Sequence, residues 1–440
     1  MDTVLKQHMT IAWQEISEDE SGTCAREATL KEKSSLVGRV GLLMLSVGTS
    51  AWRVRASMNA VARALGITCN ADIGLLTINY TCVEKGETYT NAFSIKSAGV
   101  NTDKLTLMEW FCNELEGHVG RYSVGQLHNV LDKIEHAPGQ YKAWQVALAA
   151  AVACGAFTFL LSGGPIEMLL AFFGAGVGQF VRKLLIERHI TLLANVAVSV
   201  SMACITYVLL MMAAEYFLGA SDSHEAGYIC SMLFVIPGFP LITGGIDLAK
   251  LDIRSGIERI VYAALVIMMG TLVGWAVASA FSFAPGNFTG IEMNQWLRIL
   301  LQLLCSFCGV YGFSYLFNST RKMAVMAGFI GMIANTLRLI FIDVLAMNIG
   351  IAAFLGALIA GLLASVLNRF LHYPRISLTV PAIVIMVPGM FMYKAVYFIA
   401  IGDIASGATW LTKALLIIIS MQIGLVFARI MTDVNFRKSS

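Results

Sequence analysis

Four charged side chains fall inside long apolar stretches of this sequence: Glu167, Arg338, Asp343 and Lys394. Carrying a charge into hydrocarbon costs roughly 2.5–3.5 kcal/mol on insertion scales, so such residues usually face a cavity, a partner or a solute. An acid there can hold an ammonium group or exchange a proton; a base can hold a carboxylate. Glu167 follows Gly163-Gly164-Pro165 at the start of its stretch, and Lys394 comes shortly after Gly389. Near the outer boundary, both also suit a simple snorkelling role. Arg338 and Asp343 lie about 140° apart around a helix, so they should not pair, and Arg338 shares its face with Asn335 instead. Asp247 closes another apolar stretch, where it suits a gate or an interfacial charge.

A second feature occurs twice, as Ile236-Pro237-Gly238 and Val387-Pro388-Gly389, each within an apolar stretch. Proline removes a backbone hydrogen bond and glycine relaxes the φ/ψ restraint, so each site reads as a break in a helix. In hydrocarbon the freed carbonyls and amides need partners from neighbours, water or a ligand. The first break, with Pro237 and Pro240, should be the more pronounced. One kink alone needs no solute to explain it. Two at matching positions of two halves favour a binding site, because inverted repeats with interrupted helices near the midplane are the architecture of secondary transporters.

The elements that carry these residues follow from hydropathy. The chain has 440 residues, of which 57% are hydrophobic and only 13% charged. A soluble globule carries roughly twice that charged fraction. Residues 1–142 have a net charge of −2 and residues 143–440 one of +5. Ten spans are expected, at about 143–162, 164–181, 190–216, 228–246, 257–281, 297–317, 322–345, 349–368, 377–400 and 411–430. One set of loops, with the C-terminal tail, holds 13 of the 17 Lys and Arg residues beyond position 142, among them Arg182, Lys183, Arg254, Arg259, Arg321 and Arg369. By the positive-inside rule those loops and both termini are cytoplasmic. Five spans per half is odd, so the second half enters the membrane inverted relative to the first.

The expected fold is therefore a polytopic all-α membrane domain of ten helices, arranged as an inverted 5+5 repeat and preceded by a small cytoplasmic α+β domain. Its expected bounds are a disordered polar tail at 1–35, the α+β domain at 36–140, the first repeat at 141–281 and the second at 282–440. Within the polar domain, apolar residues at three- and four-residue spacing predict helix over 36–66. Strands are expected at Ile73–Val83 and Thr88–Ile95, then helices at 103–117 and 123–135, the last capped by Ser123. The segment shows no zinc spacing, P-loop or nucleophile elbow, and His118, His128 and His136 read as solvated or packing residues. Cys305 and Cys308 form a CxxC inside an apolar helix, where small packing residues are the better account. No metal or cofactor is expected, and no nucleic acid. Two sequons, Asn287-Phe288-Thr289 and Asn318-Ser319-Thr320, carry little weight.

The run Pro237-Gly238-Phe239-Pro240-Leu241-Ile242-Thr243-Gly244-Gly245-Ile246-Asp247, followed by Gly256-Ile257-Glu258-Arg259, resembles the threonine/serine exporter family. That family's pattern reads PG-x-PL-x-NG-xx-D and then G-x-x-R. Gly163-Gly164 with Glu167, Val387-Pro388-Gly389 with Tyr393, and Gly48-Thr49-Ser50-Ala51-Trp52-Arg53-Val54 add to the resemblance, which runs from about residue 36 to 432. Thr243 departs from it, standing where the family has Asn, and Met390-Phe391-Met392 is bulkier than expected.

The resemblance implies a carrier in the bacterial plasma (inner) membrane that exports small hydroxy amino acids, driven by the proton gradient. Its partners would be the amino acid, protons and the bilayer; a homo-oligomer is compatible with it. A zwitterion needs a positive feature for its carboxylate, an acceptor for its ammonium and a polar group for its hydroxyl. The broken helices at Gly238 and Gly389 suit the first, Glu167 and then Asp343 the second, and Thr243 or Asn335 the third. In some relatives the halves occur on separate chains associated with dicarboxylate export. In that alternative Arg338 and Lys394 bind two carboxylates. An enzyme is disfavoured because the spans hold no zincin helix or catalytic dyad, and a channel because no acidic filter motif appears.

Overall fold

The computed structural model describes residues 24–97, 99–219, 225–283, 293–371 and 373–438, together with Ile11 and Trp13. Most of the expected disordered tail and the sequon at Asn287 lie outside the described residues. The chain forms two compact units. One joins the N-terminal residues through Gly139 with Thr243–Ile260, and the other comprises Gln140–Ile242 and the chain from Val261 onward. Thr243–Ile260, expected within the first membrane repeat, is thus grouped with the N-terminal residues.

In the first unit, the helix expected over 36–66 is two helices, α1 (Leu30–Ser46) and α2 (Ala51–Ala64). The interruption is Gly48 at φ 85°, a left-handed conformation that glycine adopts without steric cost. Helix α1 begins within the region expected to be disordered, because Thr29 and Glu32 form a capping box. Three antiparallel strands follow in the order β1 (Thr68–Ile73), β2 (Thr77–Glu84), β3 (Glu87–Ser94). The single strand expected at Ile73–Val83 is split by a turn in which the Gly74 amide donates to the Thr77 carbonyl at 2.8 Å. On β2, Ile78, Tyr80 and Cys82 alternate inward at strand period, and all are buried. The Tyr80 hydroxyl donates to the Ser34 carbonyl at 2.9 Å. That close approach requires Gly38, since a side chain there would meet the Tyr80 ring. Helices α3 (Thr102–His118) and α4 (Val124–Glu135) complete this part, and Ser123 caps α4 as expected.

The second unit is helical: α5 (Ala143–Leu160), α6 (Pro165–Glu187), α7 (Leu192–Leu218), α8 (Glu225–Met232), the start of α9 (Gly238–Ala249), most of α10 (Ile253–Ala280), α11 (Gln295–Leu316), α12 (Arg321–Asp343), α13 (Ile349–Leu371), α14 (Arg375–Val384), α15 (Gly389–Ala400) and α16 (Ile404–Thr432). Among the described residues, eight helices are long and apolar enough to cross a membrane, and two bent pairs bring the number to ten. The bends fall where the sequence placed the breaks: 66° between Ala226–Val235 and Gly238–Ala249, and 49° between Arg375–Val384 and Gly389–Ala400. The sharper bend is the one with Pro237 and Pro240 close together at the break; in the other span Pro388 marks the break and Pro381 lies within α14. In the first half α6 packs on α5, α7 and α8; in the second α12 packs on α11, α13 and α14; and α5 packs on α11. Small residues let these backbones approach, as where Gly174 faces the Ala203 carbonyl and Gly312 the Ala149 carbonyl. The sequon at Asn318 serves a turn, with Asn318 accepting from the Gln140 amide at 2.9 Å and Thr320 capping α12.

Candidate functional site

Both breaks have the same local chemistry. The Gly238 amide donates to the Ile236 carbonyl and the Gly389 amide to the Val387 carbonyl, each at 2.8 Å across one proline. With Pro388 at φ −79° and ψ 56°, this is an inverse γ-turn. The proline carbonyl then starts the next helix, accepting from Leu241 or from Met392 at 3.1 Å. The two breaks also pack on each other. A side chain on Gly238 would come within 2.8 Å of Val384 on α14, and one on Gly389 within 2.6 Å of both Leu233 and Ile236. Each glycine therefore lets one broken span seat against the first segment of the other.

Beside this junction is a crevice lined by Leu233, Ile236, Thr271, Gly389, Met392 and Tyr393, among others. Its volume is about 20 Å³, room for about one water molecule and too small for an amino acid. The junction stands closed. Thr271 turns its hydroxyl to its own helix, donating to the Ile267 carbonyl at 2.8 Å. Tyr228, adjoining the lining residue Ile229, donates to the Gly274 carbonyl at 2.5 Å, with its ring 6.4 Å from that of Tyr393.

The charged candidates fall into separate groups. Glu167 is buried in the first turn of α6, where its carboxylate accepts from the Gly164 amide at 2.5 Å and from the Gly227 amide at 3.4 Å. It therefore ties the start of α6 to the start of α8. On α12, Arg338 donates to Asn335 at 3.0 Å and Asn335 to Ser306 at 2.9 Å, so the face-sharing pair predicted from sequence is joined. Asp343 accepts from Gln302 at 3.4 Å, and no salt bridge joins it to Arg338. Lys394 lies over the Trp410 ring at 5.0 Å, together with Lys413 at 4.9 Å. Asn335 and Arg338 are thus brought together, while Glu167, Asp343 and Lys394 each keep other partners.

Thr243 and Asp247 belong to the first unit, in a buried polar knot. One Asp247 oxygen accepts from the Ala51 amide and from Ser255, both at 3.1 Å, and faces Arg259 at 3.1 Å. Arg259 also donates to Ser255 at 3.1 Å, to Thr243 at 3.3 Å and to the carbonyls of Gly48 and Thr49 at 3.3 and 2.8 Å. The acid and base that end the sequence run, with the Gly48–Ala51 segment, are one interlock. Around it Arg55 bonds Asp252 at 2.5 Å, Arg254 pairs with Asp72, and Glu258 accepts from the Leu75 amide at 2.5 Å.

Sequence reasoning missed two participants. Ser306 is one turn from Gln302 on α11, a polar pair at helical spacing that marks the face toward α12. Arg182, counted only as a loop charge, donates to the Phe234 carbonyl at 3.0 Å and satisfies a backbone oxygen freed at the first break.

Residues 35–282 match the family model described as "Putative threonine/serine exporter", and residues 302–431 match that for "Threonine/Serine exporter, ThrE". The chain belongs to the threonine/serine exporter family. It is a multi-pass membrane protein of an exporter family whose substrates are small molecules. It is 26% identical over 239 residues to the probable succinate transporter subunit YjjP of Escherichia coli, covering 54% of this chain and 90% of that protein. It is 22% identical over 408 residues to the probable threonine/serine exporter of Mycobacterium tuberculosis, covering 90% of this chain and 75% of that protein. The pheromone-regulated membrane protein 10 of Debaryomyces hansenii is 22% identical over 291 residues, covering 60% of this chain and 27% of that one. No solved structure matches the chain.

Proposed function

We propose that this exporter is a secondary active carrier for small hydroxy amino acids, threonine and serine, working by alternating access in exchange for protons. The observation that carries the reading is the reciprocal seating of two broken spans, Gly238 on Val384 and Gly389 on Leu233 and Ile236. A junction packed down to a crevice of about 20 Å³ suits a site that opens only toward one face at a time. Rocking one half against the other would part the breaks and expose helix N-termini for the carboxylate and carbonyls for the ammonium. In this reading the halves are inverted repeats in a plasma membrane, bacterial in the first instance, with both termini in the cytosol. The equivalent packing of α6 and α12 on their neighbours supports that symmetry.

Asn335 and Arg338 sit on one helix face, ready for the hydroxyl and the carboxylate, and Glu167 is the proposed coupling acid. Its two backbone amide donors hold a carboxylate well, and protonation would weaken the tie between α6 and α8. Uptake into everted vesicles of labelled amino acids and dicarboxylates, with and without a protonophore, tests the whole reading. Flux that ignores the protonophore removes the proton coupling, and no amino-acid flux removes the substrate class. Gradient-driven flux that survives Glu167→Gln unchanged removes Glu167 from the coupling role.

A dicarboxylate such as succinate is the second reading. It is favoured by Arg338, whose guanidinium makes one hydrogen bond among the described residues, and by the YjjP relatives. It requires that neutralising Arg338 and Lys394 harm flux more than neutralising Glu167.

A further inference from the structure

We infer that Arg182 and Arg338 are two matched stations for the carboxylate of the transported solute, one beside each break. The inference rests on the carrier reading above. Helices α6 and α12, which hold corresponding places in the two halves, are both 23 residues long. Each carries an arginine as its eighteenth residue, Arg182 in one and Arg338 in the other. Arg182 donates to the carbonyl of Phe234, three residues before Pro237. Gly356 lies between the Cβ of Arg338 and Met386, two residues before Pro388: a side chain on Gly356 would meet them at 3.1 and 3.2 Å. Both arginines therefore stand at the end of the first segment of a broken span, one for each half.

Each keeps one structural bond and has donors to spare. A guanidinium has five N–H donors in a fork that matches a carboxylate. Among the described residues, each of these guanidinium groups makes a single hydrogen bond and no salt bridge, Arg182 to Phe234 and Arg338 to Asn335. Arg338 lies inside an apolar helix with the Asp343 carboxylate acting on it, Arg182 stands at the charged end of α6, and each keeps donors that suit an anionic solute. Their helices run in opposite senses through the bilayer in an inverted repeat. One station then faces the cytosol and the other the outside. This also accounts for Arg338 lying toward the face whose loops are otherwise poor in basic residues. On the cytosolic side the solute's carboxylate would meet the remaining donors of Arg182 beside the Phe234 carbonyl, and on the outer side it would meet Arg338 with Asn335 alongside.

The test is sided transport by purified protein in oriented proteoliposomes, measuring KM at each face by counterflow with serine, threonine and succinate. Arg182→Lys and Arg338→Lys keep the charge and lose the fork. Arg182→Lys should raise KM about 10-fold at the cytosolic face, with the outer KM within about 2-fold of wild type, and Arg338→Lys should do the reverse. The glutamine variants, which keep a donor for Phe234 and Asn335, are measured in the same way if a lysine variant fails to insert. Equal shifts at both faces, or none at either, overturn the two stations. A wild-type protein that moves none of the three carboxylates overturns the carrier reading instead.

Discussion

Replacing Arg259 by Met keeps most of the side-chain volume and removes the guanidinium at the centre of the Asp247 knot. The loss can be read from the bonds. The carbonyls of Gly48 and Thr49 lose their donor, and Ser255 and Thr243 each lose a contact. Asp247, with a fully buried side chain, loses its arginine partner and keeps only the Ala51 amide and Ser255 donors to its carboxylate. Breaking a buried pair by deleting one partner costs about 3–5 kcal/mol, most of it from the stranded charge. Adding Asp247→Asn to Arg259→Met should therefore recover more than half of that loss, because the amide oxygen still accepts from Ala51 and Ser255 while the charge is gone. The assay is thermal unfolding of the full-length protein in detergent, followed by tryptophan fluorescence and checked by proteolysis of the N-terminal unit. If Arg259→Met lies within about 1 kcal/mol of wild type, or the double variant is no better than the single, the knot does not hold this unit together.

Three further outcomes follow from other contacts of the protein. His128 is fully buried beside Arg39, and burial, then the guanidinium, push its pKa down to about 4. The unfolded chain takes up the proton first, so stability is complete above pH 6.5 and falls by about 2 kcal/mol by pH 5; His128→Gln should flatten that dependence, and parallel pH profiles would refute it. Gly389→Ala places a methyl group within 2.6 Å of the free ends of Leu233 and Ile236, so both must swing aside; it should cost under about 1 kcal/mol and slow transport, and unchanged flux would show that the seating tolerates bulk. Cys69 and Cys82 are direct cross-strand partners, both free, and the hydrogen bond from Cys69 holds Cys82 below the usual thiol range. Diamide should therefore join this pair ahead of the buried membrane cysteines, seen as a two-proton mass loss that Cys69→Ser abolishes.

Local chemistry was legible in the residues alone. Apolar runs of spanning length, the two Pro-Gly breaks, the Ser123 cap and the Asn335–Arg338 face all follow from backbone bonding, helix period and the cost of charge in hydrocarbon, which act over a few residues. The exporter family was legible as well, in the run from Pro237 to Arg259. The β1 strand was not: Cys69, Ala71 and Ile73 alternate with Thr68, Asn70 and Asp72, but over six residues with small inward side chains, Asn and Asp the strand propensity is weak. Nor was the role of Thr243 and Asp247, read from sequence as candidates for solute or gate. Their partners are the Gly48–Ala51 segment and Arg259, and only folding brings some two hundred intervening residues to that contact. The same holds for Arg182 on the Phe234 carbonyl and for Gly389 on Leu233. Period and composition dictate which way a side chain points from its own helix. Which atom it then meets is decided by how the helices pack, and that information is spread over every close contact between them.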